Sequence, residues 1–241
     1  FRPDPPYLKR AFFLGLPGSV ELSTRALGLM VMSFLVSSFG TLAIATYGVG
    51  SSVLQVVTIP VMGVAMAVAT LVGQNIGARN IERAAHITWL GTAVSFATLT
   101  LLGGIAWLCA PWLVSFFIPN DQAVISGGAH FIRIMCLAWG GMGIQLCIVS
   151  AFRASGNMLG AMIIAMVSQW MIQFPMAYIL AKHTGLGPDG LWWSFPITNV
   201  AVALVSVAWF ARGGWKTVRL TEDDIAVAVV TREAVIEEGL H

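Results

Sequence analysis

Thr46–Val72 reads TYGVGSSVLQVVTIPVMGVAMAVATLV, twenty-seven residues without one charged side chain. About twenty apolar residues suffice for a helix to cross a bilayer. The strict apolar–polar alternation of a membrane β-strand is missing from the run. The same texture continues outward from Ala11 to Ala211. Short polar gaps mark off five more spans there: Leu16–Phe39, His86–Cys109, Phe131–Phe152, Met158–Ala181 and Leu191–Ala211. Of the 241 residues, 57% are hydrophobic and 10% charged, and the mean hydropathy is +0.82. A soluble domain carries roughly a quarter charged residues. A core of this size cannot hide so much apolar surface, so the remainder must face lipid. The sequence predicts an all-α integral membrane protein, a bundle of six transmembrane helices.

Charge sets the expected topology. With alternating spans, one side of the membrane collects Arg2, Lys9, Arg10, Arg79, Arg83, Arg153, Arg212, Lys216, Arg219 and Arg232. The other side holds Arg133 and Lys182. Basic residues favour the cytoplasmic side, so both termini are expected there, in a multi-pass protein of the cell membrane. Three regions follow: Phe1–Arg10, stiffened by Pro3, Pro5 and Pro6, is an expected linker, Ala11–Ala211 the membrane lobe, and Arg212–His241 a cytoplasmic tail. Phe1 is not a methionine, and the chain is expected to start inside a longer one. A net charge of +2 says little about partners; the apolar spans make the lipid bilayer the expected large partner, and no nucleic acid is expected.

An ionisable residue inside a span raises a question of function. Glu21 is the one acid inside a span, and Arg25 follows at i+4 on the same helix face. Two readings stay open: a protonatable group or cation ligand facing a polar cavity, or an ion pair that neutralises itself and fixes packing. Pro17, one turn earlier, either bends the helix or starts it, which leaves the depth of Glu21 open. Arg153, at the inner end of its span, reads as an interfacial anchor, and Arg133 as a side chain reaching for the headgroups. Gln55, Gln145, Gln169, Gln173 and Asn199 are intramembrane amides that can line a cavity or bond helix to helix. Pro60, Pro175 and Pro196 leave carbonyls without intrahelical donors in mid-span.

Trp112, Trp192, Trp193 and Trp215 read as interface-belt residues, and Cys109, Cys136 and Cys147 as small buried hydrophobes. Catalysis finds little support. Ser155 lies at a helix end with no histidine in the last span to act as base. His86, His130 and His183 lack metal-ligand spacing, and no Gly-rich loop with Lys would hold a nucleotide. Neither an enzyme, a metal site nor a bound cofactor is expected.

Gly15-Leu16-Pro17 with Glu21, followed by Ser38–Thr46 (SFGTLAIAT), resembles the seventh helix and next turn of multidrug and toxic compound extrusion (MATE) transporters. Pro60–Ala78 (PVMGVAMAVATLVGQNIGA) is similar to that family's eighth helix and cytoplasmic loop, and Phe152–Asn157 (FRASGN) to its Arg-Gly-x-Gly-Asp/Asn turn. Pro175–Leu180, Gly187–Trp192 and Gly214–Lys216 extend the likeness in order. The resemblance implies the C-terminal six-helix lobe of a twelve-helix, two-lobe transporter. Its partner would be an N-terminal six-helix lobe, on the same chain or a second one. The resemblance also implies export of small organic, often cationic, substrates in exchange for H⁺ or Na⁺ as the coupling ion. It places Pro17 and Glu21 in the cation or substrate region of the lobe. Two departures weigh against a Na⁺ site of the C-lobe type: no acid lies between Phe131 and Phe152, and Tyr47-Gly48 replace the usual His-Gln. The alternatives are a lipid-linked substrate flippase lobe of the same superfamily, which needs a more basic cavity than Arg25 and Arg153 supply, and a self-contained six-helix membrane enzyme or channel.

Overall fold

With no water in the hydrocarbon layer, a spanning backbone must satisfy its own N–H and C=O groups. The computed structural model of the chain describes residues 5–217, and among these it does so with helices and turns alone. The helices are α1 (Pro5–Ser37), α2 (Thr41–Gly77), α3 (Ile81–Leu108), α4 (Ala110–Phe117), α5 (Gln122–Cys136), α6 (Trp139–Ala154), α7 (Met158–Met166), α8 (Phe174–His183) and α9 (Pro188–Ala211). A π-helical turn, Val167–Gln173, joins α7 to α8, and a 3₁₀ turn, Gly214–Thr217, follows α9. The turns Ala78–Asn80 and Ser155–Asn157 share one end of the bundle, here termed the inner end.

Five elements are long and apolar enough to cross a membrane: Gly15–Ser37 within α1, α2, α3, the joined stretch Met158–His183, and α9. The sixth expected span, Phe131–Phe152, is instead the pair α5 and α6, bent by 54° at Leu137 and Ala138. Its cause is local. Asp121 caps α5 by accepting N–H bonds from Ala123 (3.0 Å) and Val124 (3.1 Å), so the helix starts well before Phe131. At the bend, Leu137 and Ala138 donate only to Ile134 (3.3 Å) and Met135 (3.2 Å), three residues back. Gly140, Gly141 and Gly143 then open α6, where glycine holds a helix less firmly. α1 also differs from expectation. It begins at Pro5, inside the stretch expected to be linker, and runs through Pro17 without a break. Residues 1–4 and 218–241, which hold the rest of that linker and most of the tail, lie outside the described residues.

α3 and α6 pack through small residues, as membrane helices do when backbones approach closely. A Cβ on Gly143 would stand 2.7 Å from the Ser95 carbonyl oxygen. Cys147 Sγ lies 2.9 Å from Ser95 Oγ and 3.4 Å from the Gly91 carbonyl. Two core layers result. The outer one stacks Tyr47 on Trp192 (6.3 Å between ring centroids), with Phe131 4.3 Å from Trp192. The inner one gathers Phe152, Phe210 and Trp215; Trp215 stacks on Phe210 at 4.8 Å and donates Nε1–H to its carbonyl at 3.2 Å. Trp192 and Trp215 are therefore core residues, 3% and 1% exposed, and not belt residues; Trp112 and Trp193 do face outward. Met30, Phe34, Met66 and Phe116 present their apolar side chains outward.

Candidate substrate and coupling site

Gly156 adopts φ +80°, a conformation costly for any residue with a Cβ. Its N–H donates to the Arg153 carbonyl (3.0 Å), and that of Asn157 to the Phe152 carbonyl (2.9 Å). α6 thereby stops one residue after Arg153, and the arginine side chain reaches across to α1. Its Nε–H donates to Glu21 Oε2 at 3.2 Å, and Nη2 bonds Oε1 more closely still. A guanidinium fork of this kind grips both carboxylate oxygens. Arg25 Nη2 adds a contact to Oε1 at 3.5 Å. Glu21 is 1% exposed. One carboxylate thus lies between two guanidiniums, and the trio carries a net positive charge.

This arrangement gives the position of Glu21 along the bundle. The residue sits sixteen positions from either end of α1, yet it lies level with the inner end of α6. It also changes the role of Arg153, which is the main partner of Glu21 and not a free interfacial anchor. Nothing in the spacing announces the pair, since the two residues are 132 positions apart. The FRASGN turn, which ends α6 beside Arg153, was the nearest signal available. Arg133, expected to reach for the headgroups, instead donates Nε–H to the Trp107 carbonyl (3.4 Å) and lies over the Trp107 ring at 5.5 Å.

Beside the trio lies a cavity of about 310 Å³. α1 supplies Arg25 and Leu29 to its wall, α2 Thr58 and Met62, α6 Met142 and Gln145, and α9 Asn199. The π turn supplies Ser168, Gln169 and Gln173. Four of the five amides noted in the sequence, Gln145, Gln169, Gln173 and Asn199, come together here; Gln55 is exposed on α2 and does not line the cavity. The π turn has a cause in Pro175. A proline offers no N–H and crowds the carbonyl four residues back, and the backbone widens ahead of it, with Phe174 N–H donating to the Gln169 carbonyl. Residues four and five apart then share a face. Gly28 completes the fit: a Cβ there would stand 2.6 Å from the Gln169 amide, so its absence lets Gln169 lie across α1 near Arg25. Pro17, Pro60 and Pro196 sit inside α1, α2 and α9, the first and last buried and Pro60 exposed. This constellation can hold and orient a small polar molecule.

The MatE family model matches residues 17–179, the segment that contains the trio and the π turn. The chain belongs to the MatE family. Among MatE relatives, the probable multidrug resistance protein NorM of Mannheimia succiniciproducens is 26% identical over 207 residues, covering 84% of this chain and 44% of that protein. The probable multidrug resistance protein NorM of Thermotoga maritima is 26% identical over 231 residues, covering 96% and 48%. The chain spans about half the length of the curated relatives it matches. A solved MATE in complex with MaL6 superposes with a TM-score of 0.83 at 20% identity, over 90% of this chain and 50% of that one. An inward-facing multidrug resistance MATE family transporter of the MOP superfamily gives 0.78 at 20% identity, over 87% and 48%. The all-α membrane fold expected from the sequence is the fold of these MatE neighbours.

Proposed function

We propose that this chain is the C-terminal lobe of a secondary antiporter that exports organic compounds in exchange for H⁺ or Na⁺. MatE membership combined with coverage of half the length of its relatives carries the reading. An amide-lined cavity bordering a buried acid supports it, since such a site can bind a solute and respond to a cation. Alternating access needs a second bundle to rock against, so the partner is an N-terminal six-helix lobe. The lobe sits in the cell membrane with both ends cytoplasmic, which places the Glu21–Arg153 pair at the cytoplasmic end. Glu21 is the coupling carboxylate and Arg25 its modulating neighbour. Because Arg153 holds both oxygens of Glu21, a proton or Na⁺ gains access only when α1 parts from the α6–α7 turn. Cation entry is thereby tied to helix motion.

The test is reconstitution into liposomes with an imposed H⁺ or Na⁺ gradient and a fluorescent dye as cargo. The lobe joined to its N-terminal partner should extrude dye, and the isolated chain should not. Glu21→Gln in the complete transporter should give folded protein that has lost gradient-dependent efflux. Robust efflux from a strictly monomeric preparation of the isolated chain would overturn the lobe reading. Normal coupled efflux by Glu21→Gln would move the coupling site elsewhere.

A further inference from the structure

The cavity has a sign of charge. Among the described residues, Arg25 is the one charged side chain in its wall. Glu21, the one acid inside a span, is absent from that wall; it is 1% exposed and both its oxygens are taken by Arg153. Arg153 holds both Glu21 oxygens and Arg25 shares Oε1, so the trio is net positive, and Arg25 is its one member that lines the cavity. The Arg25 guanidinium stands 3.5 Å from Oε1, and its side chain is 43% exposed. The amides do not choose a sign, because each offers donors and an acceptor alike. Leu29, Met62 and Met142 supply an adaptable apolar wall.

On the reading of this chain as a transporter lobe, we propose that the cavity takes an organic acid: an apolar body with one carboxylate that docks on Arg25. A guanidinium presents parallel donors that match a carboxylate, and the Gln169 side chain, lying across α1 at Gly28, supplies further donors close by. A cation in the same place meets the like charge of Arg25. A lipid-linked pyrophosphate carries more negative charge than one arginine answers.

The experiment uses the complete transporter in detergent and two probes: a diamino rhodamine with its benzoate carboxylate free, and the methyl ester of the same dye. They share a ring system and differ by one negative charge. Fluorescence polarisation gives the Kd of each. The acid should bind about tenfold more tightly than the ester, the size expected of one charge-assisted contact. The ratio should fall to near one in Arg25→Gln and persist in Arg25→Lys. Equal binding, or tighter binding of the ester, by the unaltered transporter overturns the proposal even if Arg25→Gln fails to fold. An unchanged ratio in monodisperse Arg25→Gln does so too. Gradient-driven efflux of both dyes from proteoliposomes is followed in parallel. Acid-selective binding without efflux of either dye counts against the transporter reading alone, whereas efflux that favours the ester counts against the sign of the cavity.

Discussion

Removing the Arg153 side chain would leave Glu21 buried with only the longer contact to Arg25. Breaking a buried ion pair from one side is far more costly than deleting both partners. The Arg153 side chain is 38% exposed, so solvent screening lowers the expected cost of Arg153→Gln to about 1–3 kcal/mol. Glu21→Gln should cost a similar amount, because it leaves two guanidiniums facing one another. The double variant Glu21→Gln with Arg153→Gln should regain more than half of the summed loss. Thermal melts of the four proteins in detergent form the cycle that measures it, and strict additivity would show that the pair does not hold the fold. The expected recovery concerns stability alone; coupled efflux should remain lost in the double variant, which separates the packing role of the pair from the coupling role proposed for it. At this scale the sequence showed Arg25, because i and i+4 share a helix face. It hid Arg153, because no periodicity links α1 to the end of α6.

Among the elements, the stretch from Met158 to His183 does the most for the site. Its π turn exists because Pro175 cannot complete an α-helical ladder. Pro175→Ala restores the missing donor, and the turn should close to regular α-helix. Losing one residue of register rotates the preceding segment by about 100° relative to α8. Gln169 and Gln173, four apart, still share a face, but that face turns away from the cavity. The variant is expected to melt at a higher temperature yet bind substrate dyes more weakly, with a cysteine at Gln169 less accessible to a small thiol reagent. Unaltered binding and accessibility would show that the π turn is incidental to the cavity. The apolar pattern located this stretch, but its two amides four apart looked like an ordinary helix face. The bend between α5 and α6 was hidden for a related reason: hydropathy is continuous across Leu137 and Ala138, while the hydrogen-bond ladder is not.

Over the whole molecule, the helices alternate in direction so that Arg79, Arg83, Arg153 and Arg212 gather at the inner end. Lys182 and the pair His130–Asp189 (3.3 Å) lie at the other. This separation matches the charge rule for a cytoplasmic inner end. In intact cells, a cysteine placed at Asn80 should resist an impermeant thiol reagent and one placed at Asp189 should react. The reverse pattern would invert the lobe in the membrane. Phe34 and Met66, 79% and 72% exposed, give the bundle an apolar exterior suited to a bilayer.

The sequence by itself determined that the chain is helical, that it crosses the membrane several times, where most of the spans lie and which loops share a side. Hydropathy and charge are local quantities, and a bilayer reads them segment by segment. Tertiary structure alone decided that Arg153 pairs with Glu21, that four of five amides meet in one cavity, that this cavity is left with the charge of Arg25, and that Trp192 and Trp215 are core. Each of those outcomes depends on which faces of distant helices meet, and that follows from close packing of side chains across the bundle rather than from any spacing along the chain.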